Sequence, residues 1–177
     1  GVVTEYVPRS VGLLDIEYKD GKLYNFGTPQ QISIERYNAA STQSQSRTDL
    51  RGIKAKGHNT IAPDYAQPLW FYELCQELGF WVIDQVNINA TSEPNNKTIG
   101  GTPSNDPSLK DEYIRRGMST YFRSRDFGSV IAYSLGGYES GNGYNLYRLY
   151  EWLKSEESRR PILYRGAGGE WNSDTLE

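Results

Sequence analysis

Short apolar runs alternate with longer amphipathic stretches along most of the chain. Apolar runs occupy residues 80–83 and 129–135, and stretches with helical periodicity precede them at 68–78 and 109–125. A continuous apolar run of this kind is typical of a strand that is buried on both faces. Alternation of such strands with helices calls for a parallel sheet with right-handed crossovers. The pattern predicts an α/β fold, and periodicity alone leaves a doubly wound sheet and a barrel open.

The first part of the chain has the pattern of antiparallel β structure. Residues 14–18 alternate apolar and polar side chains, and a turn with an Asp-Gly pair separates them from the run 23–26. Asp-Gly between two such runs is a strong hairpin signal. We predict a β-hairpin within residues 1–28 and the α/β domain in residues 29–177, with its first strand in 31–36.

The remaining elements follow from the same periodicities. Helices are predicted at 47–56, 68–78, 109–125 and 146–154, and strands at 58–62, 80–83, 129–135 and 161–164. Gly57 and Gly79 follow the first two helices, as expected of C-terminal caps. Residues 87–107 are rich in Asn, Thr, Gly and Pro, which predicts a long loop of the kind that often carries function.

Charge and composition exclude several classes of protein. The formal charge is −3 and no long basic run is present, which argues against binding of nucleic acid through its phosphates. The sequence contains no stretch of about eighteen apolar residues, which a membrane span would need. We therefore expect neither nucleic acid nor membrane as a partner.

The first residues do not resemble a signal peptide, but a mature secreted protein would look the same. The compartment therefore stays open between the cytoplasm and the periplasm or exterior of a bacterium.

The single cysteine and the single histidine limit the chemistry. Cys75 can form neither an intrachain disulfide nor a cysteine metal cluster, and its apolar helical setting predicts a buried, inert thiol. Any centre of the Ser-His-Asp type would need His58, whose place in a turn before a strand favours a structural role. Aromatic residues make up 13% of the chain, which suits stacking on sugar rings and plain packing equally well.

Several segments have the order and spacing of motifs from a known enzyme family. Residues 67–84 form one such segment and 99–107 a second; 134–143 contain Ser-Leu-Gly and then Glu-Ser-Gly-Asn-Gly, and 160–164 and 170–174 continue the series. They resemble the second helix, the third strand, the following loop and the Ser-Leu-Gly-Asn-Glu signature of family-2 glycoside hydrolases. The resemblance is to the β-galactosidase branch of that family.

The resemblance extends from Ile16 to the last residue. It implies a partial (β/α)₈ barrel of the TIM type, made of parallel strands with crossover helices and preceded by the tail of an upstream β domain. It also implies retaining hydrolysis of β-galactosides, for which two carboxylates lie about 5 Å apart. The family's acid/base corresponds to Glu139, or its place is taken by Tyr138 if no added residue is allowed. The family's nucleophile lies on a later strand, which we expect outside this chain.

Positions that the resemblance associates with function are altered. The family's His-Glu-His-His cluster corresponds to residues 37–40 and its Ser-His-Tyr-Pro turn to 63–66. A Glu and a His that help to hold Mg²⁺ in the family correspond to Asn89 and Thr91. Because magnesium prefers charged oxygen ligands, the resemblance implies that this site is lost, and we expect neither metal nor cofactor.

Four residues are predicted to bind a carbohydrate substrate: Asp84, Asn87, Tyr138 and Trp171. Asp84 and Asn87 end a buried strand and either face a ligand or cap the strand, whereas Trp171 follows a glycine-rich turn and either stacks on sugar or packs. Three hypotheses stay open. The chain is part of a β-galactosidase-type hydrolase that is impaired or inactive alone, a non-catalytic descendant with weak sugar binding, or a half-barrel that assembles with itself through open sheet edges.

Overall fold

The computed structural model of the protein describes residues 15–90, 96–137 and 140–176. The strands are β1 (Ile16–Lys19), β2 (Lys22–Asn25), β3 (Thr28–Pro29), β4 (Ile34–Glu35), β5 (Thr60–Ile61), β6 (Trp81–Gln85), β7 (Val130–Ser134) and β8 (Ile162–Leu163). The helices are α1 (Gln43–Ala55), α2 (Leu69–Glu77), α3 (Lys110–Ser124) and α4 (Tyr144–Glu156). Every predicted helix and strand of the α/β region is present.

The main sheet has five strands in the order β4-β5-β6-β7-β8, and each neighbouring pair is parallel. Strand order therefore follows chain order, with one helix in each crossover. A doubly wound sheet would reverse direction at a switch point, whereas a TIM barrel adds its strands in sequence. Within the described ranges β4 and β8 do not pair with each other, so the sheet is a partial barrel, as predicted.

The predicted hairpin is present, and it continues into a third strand. β1 pairs with β2 in antiparallel register, with Asp20 and Gly21 at positive φ (51° and 77°) in the turn. Phe26 and Gly27 make a second left-handed turn, after which β3 pairs with β2. Thr28 and Pro29 therefore belong to the same sheet as the hairpin. The division of the chain between residues 28 and 29 stays a prediction.

Two helices begin earlier than their apolar periodicity suggested. α1 begins at Gln43, four residues before the predicted start at 47, because the Thr42 hydroxyl accepts a hydrogen bond from the Gln45 N–H (3.3 Å) and caps the polar first turn. α4 begins at Tyr144 instead of 146. Both glycine caps are confirmed, since Gly57 and Gly79 have φ of 92° and 70°.

Strand lengths also differ from the prediction. The strand expected at 31–36 is confined to β4, and the one expected at 58–62 is confined to β5. β6 extends to Gln85, two residues beyond the apolar run, because polar Asp84 and Gln85 are also buried. The long loop contains two short 3₁₀ turns, Pro103–Asn105 and Pro107–Leu109. Residues 91–95 of that loop lie outside the described part of the chain.

The register of the parallel strands assigns side chains to the two faces of the sheet. Ile61, Val82 and Val130 lie side by side and pack in one core cluster with residues from all four helices. That face carries the hydrophobic core. The opposite, barrel face includes Ile34, which is 45% exposed, and Ile131, which the hairpin sheet covers.

Helices α3 and α4 approach each other closely at a glycine. A Cβ built on Gly117 would lie 2.3 Å from Cδ1 of Leu149, which is itself fully buried. No real Cβ tolerates such a contact, so a glycine at this position lets the Leu149 side chain fill the space between the two helices.

The outer edge of β8 is covered by Ser173 and Asp174 of the same chain. The Ile162 N–H donates to Oδ2 of Asp174 (2.7 Å), and the Asp174 N–H donates to the Ile162 carbonyl (2.8 Å). The Tyr164 N–H donates to Oγ of Ser173 (2.8 Å). Outward-facing backbone groups of this end strand are thus satisfied without a further strand.

Cys75 is fully buried in the core cluster, and burial raises the pKa of its thiol. The thiol is therefore protonated at neutral pH, which confirms the prediction of a buried cysteine without nucleophilic character. None of the helices in the described ranges is long and apolar enough to cross a membrane.

Candidate functional site

Side chains that follow β4 and β5 meet at the carboxyl edge of the sheet. Nδ2 of Asn38 donates to Oδ2 of Asp64 (2.9 Å), and the Asp64 N–H donates back to Oδ1 of Asn38 (2.9 Å). Arg36 forms an ion pair with the same carboxylate, and the Gln85 amide at the end of β6 donates to the Asp64 carbonyl. TIM barrels carry their active sites on this edge. The altered segments 37–40 and 63–66 are thus brought together.

The electrostatic state of Asp64 limits what it can do. The hydrogen bond from Arg36 holds the pKa of the Asp64 carboxyl below its usual range, assisted by Asn38. The group is therefore ionised at neutral pH, and it can accept hydrogen bonds from sugar hydroxyls but cannot act as a general acid.

Gln67 holds together the loops that form this edge. It is 1% exposed, its Oε1 accepts a hydrogen bond from the Ala39 N–H (2.7 Å), and its Nε2 donates to the Tyr65 carbonyl (2.6 Å). The loops after β4 and β5 are thereby tied to each other. Sequence reasoning assigned Asn38, Asp64 and Gln67 no individual role; the only signal was that two of them lie in the altered family segments.

The glycine-rich loop after β7 is held against the end of β6. The Gly137 N–H donates to the Ile88 carbonyl (2.8 Å), and the Ala90 N–H donates to Oγ of Ser140 (3.0 Å). A Cβ on Gly136 would lie 2.8 Å from the Ile88 carbonyl oxygen, so this approach requires glycine. Tyr138 and Glu139 themselves lie outside the described residues, and their roles stay predictions.

The chain just after this loop is fixed by a reciprocal amide pair. Nδ2 of Asn142 donates to Oδ1 of Asn172 (3.0 Å), and Nδ2 of Asn172 donates to Oδ1 of Asn142 (2.8 Å), with both side chains buried. The Tyr164 hydroxyl donates to the Gly141 carbonyl. The loop is therefore anchored on both sides of position 139, an arrangement that no local sequence pattern indicated.

Asp84 lies on the helix face of the sheet, beside Tyr133 in the register. It is linked to Gln67 of the carboxyl-edge network through the Tyr72 hydroxyl, which accepts a hydrogen bond from the Gln67 N–H (3.1 Å). It is fully buried; Oδ1 accepts a hydrogen bond from the Tyr72 hydroxyl (2.8 Å), and Oδ2 has no hydrogen-bond partner. The nearby Ser124 hydroxyl donates instead to the Thr120 carbonyl (3.0 Å). Burial raises the pKa of the Asp84 carboxyl to about 6.

The structure does not bring the other predicted ligand-binding residues together either. Asn87 is exposed, its carbonyl accepts a hydrogen bond from Arg116 (2.7 Å), and it lines an open cleft of about 460 Å³ beside α3. Trp171 is 57% exposed and stacks on Tyr147 of α4. Asp84, Asn87 and Trp171 thus occupy three separate places.

His58 lies just before β5, at the amino end of the sheet. Its Nδ1 is 3.1 Å from Oγ of Ser33, and its Nε2 is 3.5 Å from a carboxylate oxygen of Glu35. This position, opposite the carboxyl edge, agrees with a structural role. Among residues 15–90, 96–137 and 140–176, no three His, Cys, Asp or Glu side chains are grouped so as to hold a metal. Loss of the family's magnesium site stays a prediction.

A parallel sheet wound in one direction, with a polar network at its carboxyl edge, defines a partial barrel of the TIM type. The profile described as glycosyl hydrolases family 2, TIM barrel domain, matches residues 38–176. The chain belongs to this family, which confirms the resemblance found in the sequence.

Curated relatives place the chain near the β-galactosidase branch. It is 30% identical to a β-galactosidase of Vibrio cholerae over 95% of this chain, and 30% identical to one of Enterobacter cloacae over the same share. It spans about 17% of the length of each of these proteins.

Solved structures support the fold. A β-glucuronidase of an uncultured Clostridium species superposes with a TM-score of 0.71 at 14% identity, covering 87% of this chain and 28% of the other. The β-glucuronidase of Parabacteroides merdae gives 0.64 at 17% identity, covering 87% and 21%. At such identities the likeness concerns architecture alone.

Proposed function

We propose that this chain supplies the acid/base side of a retaining β-galactosidase-type site, with Glu139 as the acid/base. The observation that carries the proposal is the anchoring of the glycine-rich loop: Gly137 and Ser140, on either side of the proposed residue, bond to the chain that follows β6. This is the edge on which barrel enzymes hold their catalytic groups. The curated β-galactosidases support the choice of substrate class.

The proposed chemistry needs two carboxyl groups in succession. Glu139 in its acid form protonates the leaving glycosidic oxygen while a second carboxylate, about 5 Å away, forms the glycosyl intermediate. Glu139 then takes a proton from the water that releases the sugar. Tyr138 stays in the proposal as a substrate-binding neighbour. No metal enters it, because neutral Asn89 stands where the family has a Glu.

Asp64 and Glu170 make poor candidates for the nucleophile. Asp64 is held by Arg36 and Asn38, and Glu170 is held by Lys97 and Tyr147 beside α4. Both are engaged in structural contacts that a nucleophile would have to give up. We therefore propose that the second carboxylate comes from outside these 177 residues and that the chain alone hydrolyses β-galactosides weakly or not at all.

Hydrolysis of two aryl β-galactosides at high protein concentration, with azide added as an external nucleophile in place of the absent carboxylate, tests the proposal. Glu139→Gln is expected to lower turnover of the 4-nitrophenyl galactoside by about a hundredfold or more, because general acid–base assistance is worth that much. The 2,4-dinitrophenyl galactoside, whose leaving group needs little protonation, should lose less. Glu156→Gln, an exposed position on α4, is the matched control. Equal losses on both substrates, or turnover unchanged in Glu139→Gln, would contradict the assignment.

The exposure of Ile34 favours one second candidate, a non-catalytic half-barrel that pairs with itself. This residue is 45% exposed on β4, the short strand at one edge of the sheet. The unpaired edge of a sheet is a site of edge-to-edge association. If this is the function, sedimentation equilibrium will show a concentration-dependent dimer, and Ile34→Lys will shift it towards monomer. A monomer at every concentration would rule this candidate out.

A further inference from the structure

We propose that the flank of α4 carries a second sugar-binding surface, formed by Trp171, Tyr147 and the Lys97–Glu170 ion pair. We call this surface the α4 platform. It goes beyond the proposed hydrolytic function, because it needs no reacting carboxylate and binds a neutral hexopyranose of a β-galactoside.

The aromatic part of the platform is already oriented. The rings of Trp171 and Tyr147 stack with centroids 5.2 Å apart and planes 23° apart, and Tyr150 meets the indole edge-on at 5.9 Å. Trp171 is nevertheless 57% exposed, so one face of the indole is supported by protein and the other is open. A ring fixed in advance loses little conformational freedom on binding.

A polar rim borders the aromatic part. The Glu170 carboxylate accepts a hydrogen bond from the Tyr147 hydroxyl and forms an ion pair with Lys97. The Lys97 ammonium lowers the pKa of the Glu170 carboxyl, so the carboxylate is ionised at neutral pH. The rim therefore offers an acceptor and a donor side by side next to an open aromatic face.

This combination fits a neutral pyranose better than other ligands. A pyranose presents a face of C–H groups, whose weakly positive hydrogens meet the negative face of an aromatic ring. It also carries hydroxyls at its rim, which can donate to Glu170 and accept from Lys97. An anionic ligand would meet no net positive charge here, since the two rim charges cancel. An apolar side chain would leave the rim unused.

The platform is separate from the carboxyl-edge network around Asp64. That network joins the loops after β4 and β5, whereas the platform lies against α4 next to β8, at the other end of the sheet order. Trp171, predicted from the sequence to stack on sugar, therefore lies on a different part of the molecule from the Asp64 network.

A ¹H–¹⁵N NMR titration that follows the Trp171 indole N–H tests the platform, with methyl β-D-galactopyranoside and a neutral β-galacto-oligosaccharide as probes. The resonance is expected to shift on titration. Trp171→Ala should weaken binding about tenfold, which corresponds to about 1.4 kcal/mol, and Trp171→Phe should weaken it less because an aromatic ring is kept. Both variants lack the indole resonance, so their affinity is compared with that of the wild type through the backbone N–H resonances of Tyr147 and Glu170. Phe122→Ala removes another exposed aromatic on α3 (44% exposed) and should change nothing.

The Glu139→Gln variant separates this inference from the proposed hydrolysis. Binding at the platform should be unchanged in that variant whether or not turnover is lost. The platform is disproved if the Trp171 resonance does not move, if Trp171→Ala binds as the wild type does, or if Glu139→Gln removes the shift. Failure of azide-assisted turnover with binding intact would contradict only the hydrolytic proposal.

Discussion

Replacement of Asp84 by Asn is expected to stabilise the protein at neutral pH by about 2 kcal/mol. The carboxylate is fully buried, one of its oxygens has no hydrogen-bond partner, and burial raises the pKa to about 6. An ionised group in such a place is costly. The amide keeps the size and the acceptor for the Tyr72 hydroxyl (2.8 Å) and carries no charge.

The pH dependence of this effect has a definite sign. Because the folded-state pKa of Asp84 is higher than the value near 4 of an unfolded chain, protonation favours the folded state. The contribution of Asp84 to stability is complete below about pH 4 and is lost as the pH rises through about 6. The advantage of Asp84→Asn should therefore be full at pH 7.5 and close to zero at pH 3.5.

Urea unfolding at pH 7.5, 6.0 and 3.5 measures this difference. Asp126→Asn is the matched control, since its side chain is 90% exposed near the end of α3, and it should change the free energy of unfolding by less than about 0.5 kcal/mol. A destabilised Asp84→Asn protein at pH 7.5 would mean that the charge makes a favourable contact that outweighs its burial.

Truncation of Leu149 is expected to destabilise the protein by about 3 kcal/mol. Its side chain is fully buried and fills the space between α3 and α4 beside Gly117. Leu149→Ala removes buried carbon atoms and leaves a cavity between two helices that can close only in part. The measurement is the free energy of unfolding in urea, at a pH where Asp84 does not titrate.

The effect of Gly117→Ala on the free energy of unfolding should change sign with the residue at position 149. In the wild type the new methyl group would lie 2.3 Å from Cδ1 of Leu149, and we expect a loss of about 1 kcal/mol from overpacking. In Leu149→Ala the obstacle is gone, and the helix propensity of alanine over glycine should give a gain of about 1 kcal/mol. Additive effects in the double mutant would show that the two side chains do not compete for one space.

The sequence predicted the framework of the fold well because local patterns dictate it. Apolar runs, glycine caps and an Asp-Gly turn act within a few residues, and the corresponding elements are all present. Element boundaries were less accurate where a polar cap extended a helix, as Thr42 does for α1. The boundary of β6 was missed because buried Asp84 and Gln85 have no apolar signature.

The site was harder to predict, because its geometry depends on contacts between distant residues. An unbroken apolar run has no alternation, so nothing local indicates which face of β6 carries Asp84; a register irregularity between Val82 and Ile83 adds to the difficulty. The Asn38–Asp64 and Asn142–Asn172 contacts span 26 and 30 residues. Trp171 lies beside α4 because the chain turns back along β8, which no motif around Trp171 indicates.

The covering of β8 by Ser173 and Asp174 sets a limit on the size of an assembly that the described residues build by strand addition. A fibril grows only if each subunit offers two adhesive edges of one sheet, since every joined copy must leave a fresh edge behind it. In the five-stranded sheet one of these edges is already occupied by Ser173 and Asp174. Among the described strands, copies of this part of the chain that join through β4 use the sheet edge that is left free, so this mode of association ends at a two-fold symmetric pair.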